Sequence, residues 1–144
     1  MTLTGMELVE AIREGKSDPP SGIESLGLTG SHQWLTEIAP GAATMRMPFS
    51  EAHLNLEGAL ICSWLIAVAD QAMFFASNAA CASGEMTRMR RLTYEVMDDI
   101  TGGEVTFAAR VAERKGDLML CECQIINVEG REAARVAAQI EVFR

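Results

Sequence analysis

The chain has 144 residues, of which 49% are hydrophobic, and a formal net charge of −8. That length suits one compact domain with a real core, and the apolar content excludes a disordered chain. The acidic balance argues against general binding to nucleic acid or to an anionic membrane surface.

Thr4 to Lys16 reads as a short helix, capped by Thr4, with Met6, Leu8, Val9 and Ile12 on one side. Ser17-Asp18-Pro19-Pro20 is expected to end it, and Gly22 to Gly30 reads as a loop anchored by Ile23, Leu26 and Leu28. No basic segment followed by an apolar core opens the chain, so no signal peptide is expected and the chain reads as cytoplasmic. Trp34 to Ala39 reads as a strand and Pro40-Gly41 as a turn. A second strand follows, in which Ala43, Met45, Met47 and Phe49 alternate with Thr44, Arg46 and Pro48. A polar loop, SEAHLNLEG, leads into the stretch Gly58 to Gly84.

That stretch is apolar or small almost throughout and carries one charge, Asp70. Apolar residues lie all round the helical wheel, which predicts a helix buried on most sides. A membrane span is not expected, because the acid is central and no Lys/Arg asymmetry flanks the segment. An acid at the centre of a buried helix needs a partner or a use. Asp70 is therefore either catalytic or a structural acid paired with Arg88 or Arg90.

After Gly84 the period changes to two. Leu92, Tyr94 and Val96 form one face of a strand, and Val105, Phe107, Ala109 and Val111 form one face of the next. Met119, Cys121, Cys123 and Ile125, then Ala134, Val136, Ala138, Ile140 and Val142, continue the pattern across short turns at Arg114–Asp117 and Glu129-Gly130. Three such strands in succession predict an antiparallel meander. Period two also sends Arg88 and Arg90 to the face of Leu92 and Tyr94, the helix side. The four cysteines read as small buried residues of a reducing compartment, and two histidines are few for zinc, so no metal is expected. The order of elements predicts an α+β fold, a long central helix wrapped by a curved antiparallel sheet of about five to six strands. One sheet face cannot cover a helix that is apolar all round, so a partner subunit is expected. Residues 1–144 read as one domain, with 1–30 as an N-terminal helix and loop extension and 31–144 as the core.

From Trp34 to Phe143 the chain resembles the hot-dog fold, and within it the acyl-CoA thioesterases of the phenylacetate-degradation type. The resemblance rests on Asn55-Leu56-Glu57-Gly58, on Asp70 at the family's spacing from Asn55, and on Leu92-Thr93-Tyr94 followed by Thr101-Gly102-Gly103-Glu104. The family's His-Gly-Gly is Ile61-Cys62-Ser63 here. The resemblance implies hydrolysis of an aryl- or fatty-acyl-CoA, with coenzyme A part of the substrate and no separate cofactor. It implies a site across a homodimer interface, in a dimer or a dimer of dimers. Residues Gly58 to Cys62 would offer helix-start N–H groups to the thioester oxygen. Asp70 of the other chain would act as base or nucleophile, with Thr87 holding the water and Asn55 fixing the loop, touching the thioester end or capping the helix. Substrate contacts would come from His53, Ile61, Gln71, Arg88, Arg90, Arg114 and Lys115. The alternative is an acyl-CoA or small-carboxylate binding protein of the same fold with little turnover, favoured by Ile61-Cys62-Ser63 and by the arginines.

Overall fold

The computed structural model describes residues 2–17 and 31–144. The expected Asp18-Pro19-Pro20 stop, the Gly22–Gly30 loop and the side chain of His32 lie outside the described residues. Helix α1 spans Gly5–Arg13 and helix α2 spans Cys62–Ala79. The strands are β1 Leu35–Ala39, β2 Ala42–Pro48, β3 Met86–Val96, β4 Glu104–Lys115, β5 Leu118–Ile126 and β6 Glu132–Phe143. They form one six-stranded sheet in the order β1-β2-β4-β5-β6-β3, antiparallel at each pairing. The meander expected from the alternating residues is β4-β5-β6. The long excursion through α2 carries the chain from β2 to the opposite edge, where β3 pairs with β6 alone.

Period-two alternation builds the core. Val105, Phe107 and Ala109 of β4, Met119, Cys121, Cys123 and Ile125 of β5, and Val136, Ala138, Ile140 and Val142 of β6 are buried together against one side of α2. Helix α2 answers with Trp64, Leu65, Val68, Ala69, Ala72, Met73, Phe75 and Ala76. At roughly 25 cal/mol per Å² of apolar surface removed from water, this layer is the main stabilising term of the fold. Met45, Met47 and Met73 are buried in it as well.

The first helix ends earlier than expected. Gly15 takes φ +74°, and the N–H groups of Glu14 and Lys16 donate to Glu10 O and Ala11 O. A glycine in the left-handed region closes a helix by capturing its last carbonyls, so α1 stops before the prolines. Thr4 stands at the N-cap without using its side chain there. Its Oγ1 instead accepts the Gly84 N–H at 2.7 Å, which pins α1 to the end of α2's following turn. A tertiary partner has displaced the local cap.

Strand β3 carries the largest correction. Arg88, Arg90 and Arg91 are exposed, while Thr87, Met89, Leu92 and Tyr94 are half-buried toward α2. The register of β3 on β6 jumps between Met89, which faces Ile140, and Arg91, which faces Gln139. Arg90 is the extra residue of a β-bulge, and one extra residue inverts the parity of a strand. Arg88 and Leu92 therefore lie on opposite faces despite their even spacing. Arg88 and Arg90 both pair with Glu141 of β6, at 3.1 and 2.9 Å, on the face away from the helix.

Candidate active site

The approach to α2 is built by Asn55. Its Oδ1 accepts the N–H groups of Glu57 at 2.9 Å and Ala59 at 3.1 Å, and its own N–H donates to Ala59 O at 2.7 Å. This side-chain turn is what Asn provides where the chain must reverse. Gly58, at φ +82°, completes it. An L-residue there costs about 1–2 kcal/mol. Gly58→Ala is expected to lower stability by that amount in a urea melt, because the strained turn sets the first residues of α2.

The helix itself starts at Cys62, not at Gly58. Between them, Gly58 N–H donates to Asn55 O, Leu60 N–H to Ile100 O and Ile61 N–H to His53 O. Those groups are spent on the loop and offer nothing to a ligand. Asn55 does not cap the helix either; Ile61 occupies the N-cap position without a side-chain bond. The first intrahelical bond runs from Leu65 N–H to Ile61 O at 3.3 Å. The N–H groups of Cys62, Ser63 and Trp64 precede it, and together with the positive end of the helix dipole they form the donor set. Cys62 is exposed, contrary to the expectation that all four cysteines are buried; Cys81 is half-buried and Cys121 and Cys123 are buried. Tyr94 approaches from β3: its hydroxyl is raised above its ordinary pKa, first by desolvation and then by its proximity to Cys62.

Asp70 lies on the side of α2 turned away from the sheet, with Ser63, Ile66, Ala67 and Phe74. In the single chain it is exposed and not buried as the apolar wheel suggested. The sheet covers one side of α2 and α1 packs toward its far end, which leaves the Asp70 stripe open. Enough protein surrounds the carboxyl to raise its pKa by desolvation. No ion pair holds Asp70 among the described residues, because the arginines expected to neutralise it face Glu141 across the bulge. Asp70 is eight residues beyond Cys62, about 12 Å along the helix axis. That separation is long for both to reach one small carbonyl within one chain.

The remaining candidates are dispersed. Thr87 Oγ1 accepts the Asn78 Nδ2 hydrogen at 2.9 Å and lies 3.4 Å from Ser77 Oγ, so it ties β3 to the last turns of α2 and is committed away from Asp70. Gln71 is turned inward, 3% exposed, with Oε1 lacking a partner. Arg114 does not extend from the hairpin as a free cation. It pairs with Glu85 at 3.0 Å, and Arg144 reaches the same carboxylate at 2.7 Å. Glu85 also accepts the Ala82 N–H, and these bonds hold its pKa below the usual range. The basic turn is thus a clamp joining α2's exit, the β4-β5 hairpin and the C-terminus. Lys115 remains exposed beside Glu113. His53 and Ile61 do come together with the helix start: His53 stacks on Trp64 at 5.1 Å, and both His53 and Ile61 line a small cavity there. From sequence Trp64 is given no site role, and Tyr94 enters only as part of a strand motif. Both lie on apolar faces, and only their packing reveals a polar edge near the helix start.

No helix among the described residues is long and apolar enough to cross a membrane. The sequence matches no family model and no curated protein. Solved structures do match the fold. A phenylacetic acid degradation-related protein of Ralstonia eutropha JMP134 superposes with a TM-score of 0.79 at 16% identity, over 93% of this chain and 98% of that one. A thioesterase of Haemophilus influenzae gives 0.75 at 15% identity, over 100% and 93%. A hypothetical thioesterase protein of Streptococcus pneumoniae TIGR4, with coenzyme A, gives 0.69 at 14% identity, over 76% and 84%. At these identities the likeness is one of architecture: a long helix wrapped by a six-stranded antiparallel sheet, the hot-dog fold that the resemblance implied.

Proposed function

We propose that the protein is an acyl-CoA thioesterase that hydrolyses aryl- or fatty-acyl-CoA at a site shared by two copies of the chain. The observation that carries this reading is Asp70, a carboxylate without an ion-pair partner among the described residues, on an open apolar helix face, with a raised pKa. Such a group is a base in search of a proton donor. The neighbours of the same fold, one a thioesterase and one a hypothetical thioesterase with coenzyme A, supply the reaction class.

In this reading the N–H groups of Cys62, Ser63 and Trp64 receive the thioester carbonyl oxygen. Asp70 of a second copy faces them in this reading, because an axial separation of about 12 Å along one helix (~1.5 Å per residue) is long for both groups to reach one carbonyl. Water attacks the carbonyl carbon while Asp70 takes its proton. Negative charge collects on the carbonyl oxygen and is met by the helix-start donors. The C–S bond then breaks, and the proton held by Asp70 passes to the departing sulfur, leaving a carboxylic acid and free coenzyme A. The open stripe of Ile66, Ala67, Asp70 and Phe74 is the surface that a second copy would cover. A homodimer, alone or paired into a tetramer, is the assembly this reading requires. Cys62 keeps a backbone N–H at the position where the family has glycine, and its exposed side chain does not obstruct the backbone from within the chain.

The test is release of free thiol from a panel of aryl- and fatty-acyl-CoAs. Turnover of at least one substrate is expected, and tight binding with none turned over would leave a binding protein instead. The pH dependence is a second expectation. Only ionised Asp70 accepts a proton, and desolvation raises its pKa. The acid limb of kcat/KM is therefore expected above the ordinary aspartate value of about 3.9. A limb at or below that value would remove Asp70 as the base.

A further inference from the structure

Resting on the thioesterase reading, we propose that the Tyr94 hydroxyl is a further catalytic group, a side-chain donor to the thioester oxygen beside the N–H groups at the start of α2. Two anchors place it there. At the far end of the helix, Asn78 Nδ2 donates to Thr87 Oγ1 of β3 at 2.9 Å. The turn between α2 and β3 reverses the chain, so helix and strand lead away from this bond in one direction. The helix runs back sixteen residues to Cys62, about 24 Å at ~1.5 Å per residue. The strand runs on seven residues to Tyr94, one of them in the bulge, about 20 Å at ~3.3 Å per residue. The two lengths nearly match, so Tyr94 comes level with the first turn of α2. At that end its side chain lies near Cys62.

Tyr94 is half-buried on the helix side of β3, with its ring packed against the core. Its hydroxyl makes no hydrogen bond among the described residues. Nor is it sealed in: the fully buried side-chain atoms left without a partner there are Trp64 Nε1 and Gln71 Oε1. A phenol held by its ring, with an unpaired and reachable tip, can give its hydrogen to a bound acceptor. Desolvation and then the nearness of Cys62 raise its pKa, so at neutral pH the oxygen keeps its proton. Strand β3 lies against the flank of α2 that carries Asn78, about 80° round the helix from Asp70. Tyr94 therefore stands beside the stripe that a second copy would cover and not on it. As water attacks, charge grows on the carbonyl oxygen, and a fixed O–H aimed at it lowers the barrier. Tyr94 donates a hydrogen bond and keeps its proton throughout, so the proton taken by Asp70 still goes to the departing sulfur.

Tyr94 is the one tyrosine of the chain, so chemistry directed at tyrosine reads this residue alone. Tyr94→Phe removes the oxygen and keeps the ring. With the best substrate of the acyl-CoA panel it is expected to lower kcat about 10²-fold, the loss typical of one oxyanion donor, with KM within about twofold. The urea midpoint and the acid limb set by Asp70 are expected to stay in place, a split that a packing role would not give. Should the variant fail to fold, growth on 3-fluorotyrosine labels the residue in an otherwise unaltered chain. Its fluorine resonance is expected to move when the ketone thioether analogue of that substrate binds, since this analogue keeps the carbonyl and cannot be hydrolysed. The carbonyl-free thioether is expected to move it less than about half as far. A kcat within about threefold of the unaltered protein, or a loss that comes with a lowered urea midpoint, would overturn the assignment of Tyr94 and leave the thioesterase reading intact. Equal fluorine shifts with the two analogues, zero included, would do the same. Absence of turnover by the unaltered protein on every substrate of the panel would overturn both.

Discussion

Asp70→Asn is expected to reduce thiol release by about 10²–10⁴-fold, the usual worth of a positioned general base. Asparagine keeps the shape and polarity of the side chain but cannot take the proton from water. The variant is not expected to lose its fold. Asp70 makes no ion pair among the described residues, and the residue is exposed in the single chain. Stability follows from the same shift. A carboxyl whose folded-state pKa lies above its unfolded value favours folding when protonated, and that contribution is lost as pH rises through the folded pKa. At neutral pH the ionised group opposes folding slightly, screened by solvent to well under ~1 kcal/mol. Asp70→Asn should therefore melt at or just above the temperature of the unaltered protein. Retained turnover would sink the assignment of the base; a collapsed melt would mean that Asp70 is a structural acid.

Phe107→Ala is expected to give the largest loss of stability, about 3–5 kcal/mol in urea denaturation. Phe107 is fully buried in β4, between Met45 of β2 and Ile125 of β5, both also fully buried. Its ring meets Trp64 edge-on at 5.9 Å. Removing it leaves a cavity under the first turn of α2, bounded by that helix and by neighbouring strands that cannot collapse without shifting the sheet. Phe107→Leu should cost much less, about 1 kcal/mol, because volume is nearly conserved. Because Trp64 rests on Phe107, the alanine variant should also lower kcat/KM by more than its unfolded fraction explains. A drop in stability with unchanged kcat/KM per folded molecule would show that the helix start does not depend on this support.

Most of the architecture was legible because strands that bury one face must alternate. Val105 to Val111, Met119 to Ile125 and Ala134 to Val142 carry unbroken alternation, and each became a strand in the expected order. The helix was legible from its apolar run. Its start was not, because the N–H groups of Leu60 and Ile61 are taken by Ile100 and His53 from neighbouring loops, and no local signal announces those partners. Arg88 and Arg90 were misplaced for a different reason. A bulge leaves no mark in residue type, yet one extra residue inverts every side chain beyond it. Arg114 looked like a free basic turn because its partner Glu85 is twenty-nine positions away. That Thr87 Oγ1 accepts from Asn78 is equally invisible in the sequence, because the partner lies on another element.

The amino-acid order by itself determined the alternation of the sheet, the single apolar helix and the lone acid at its middle. These follow from short-range periodicity and from the cost of exposing apolar surface. Only the tertiary structure decided which face that acid occupies, which helix-start N–H groups remain open, and which arginines are already paired. Each of those depends on contacts between residues far apart in the chain. Hydrogen-bond and charge satisfaction is a property of the assembled neighbourhood, and no residue carries it alone.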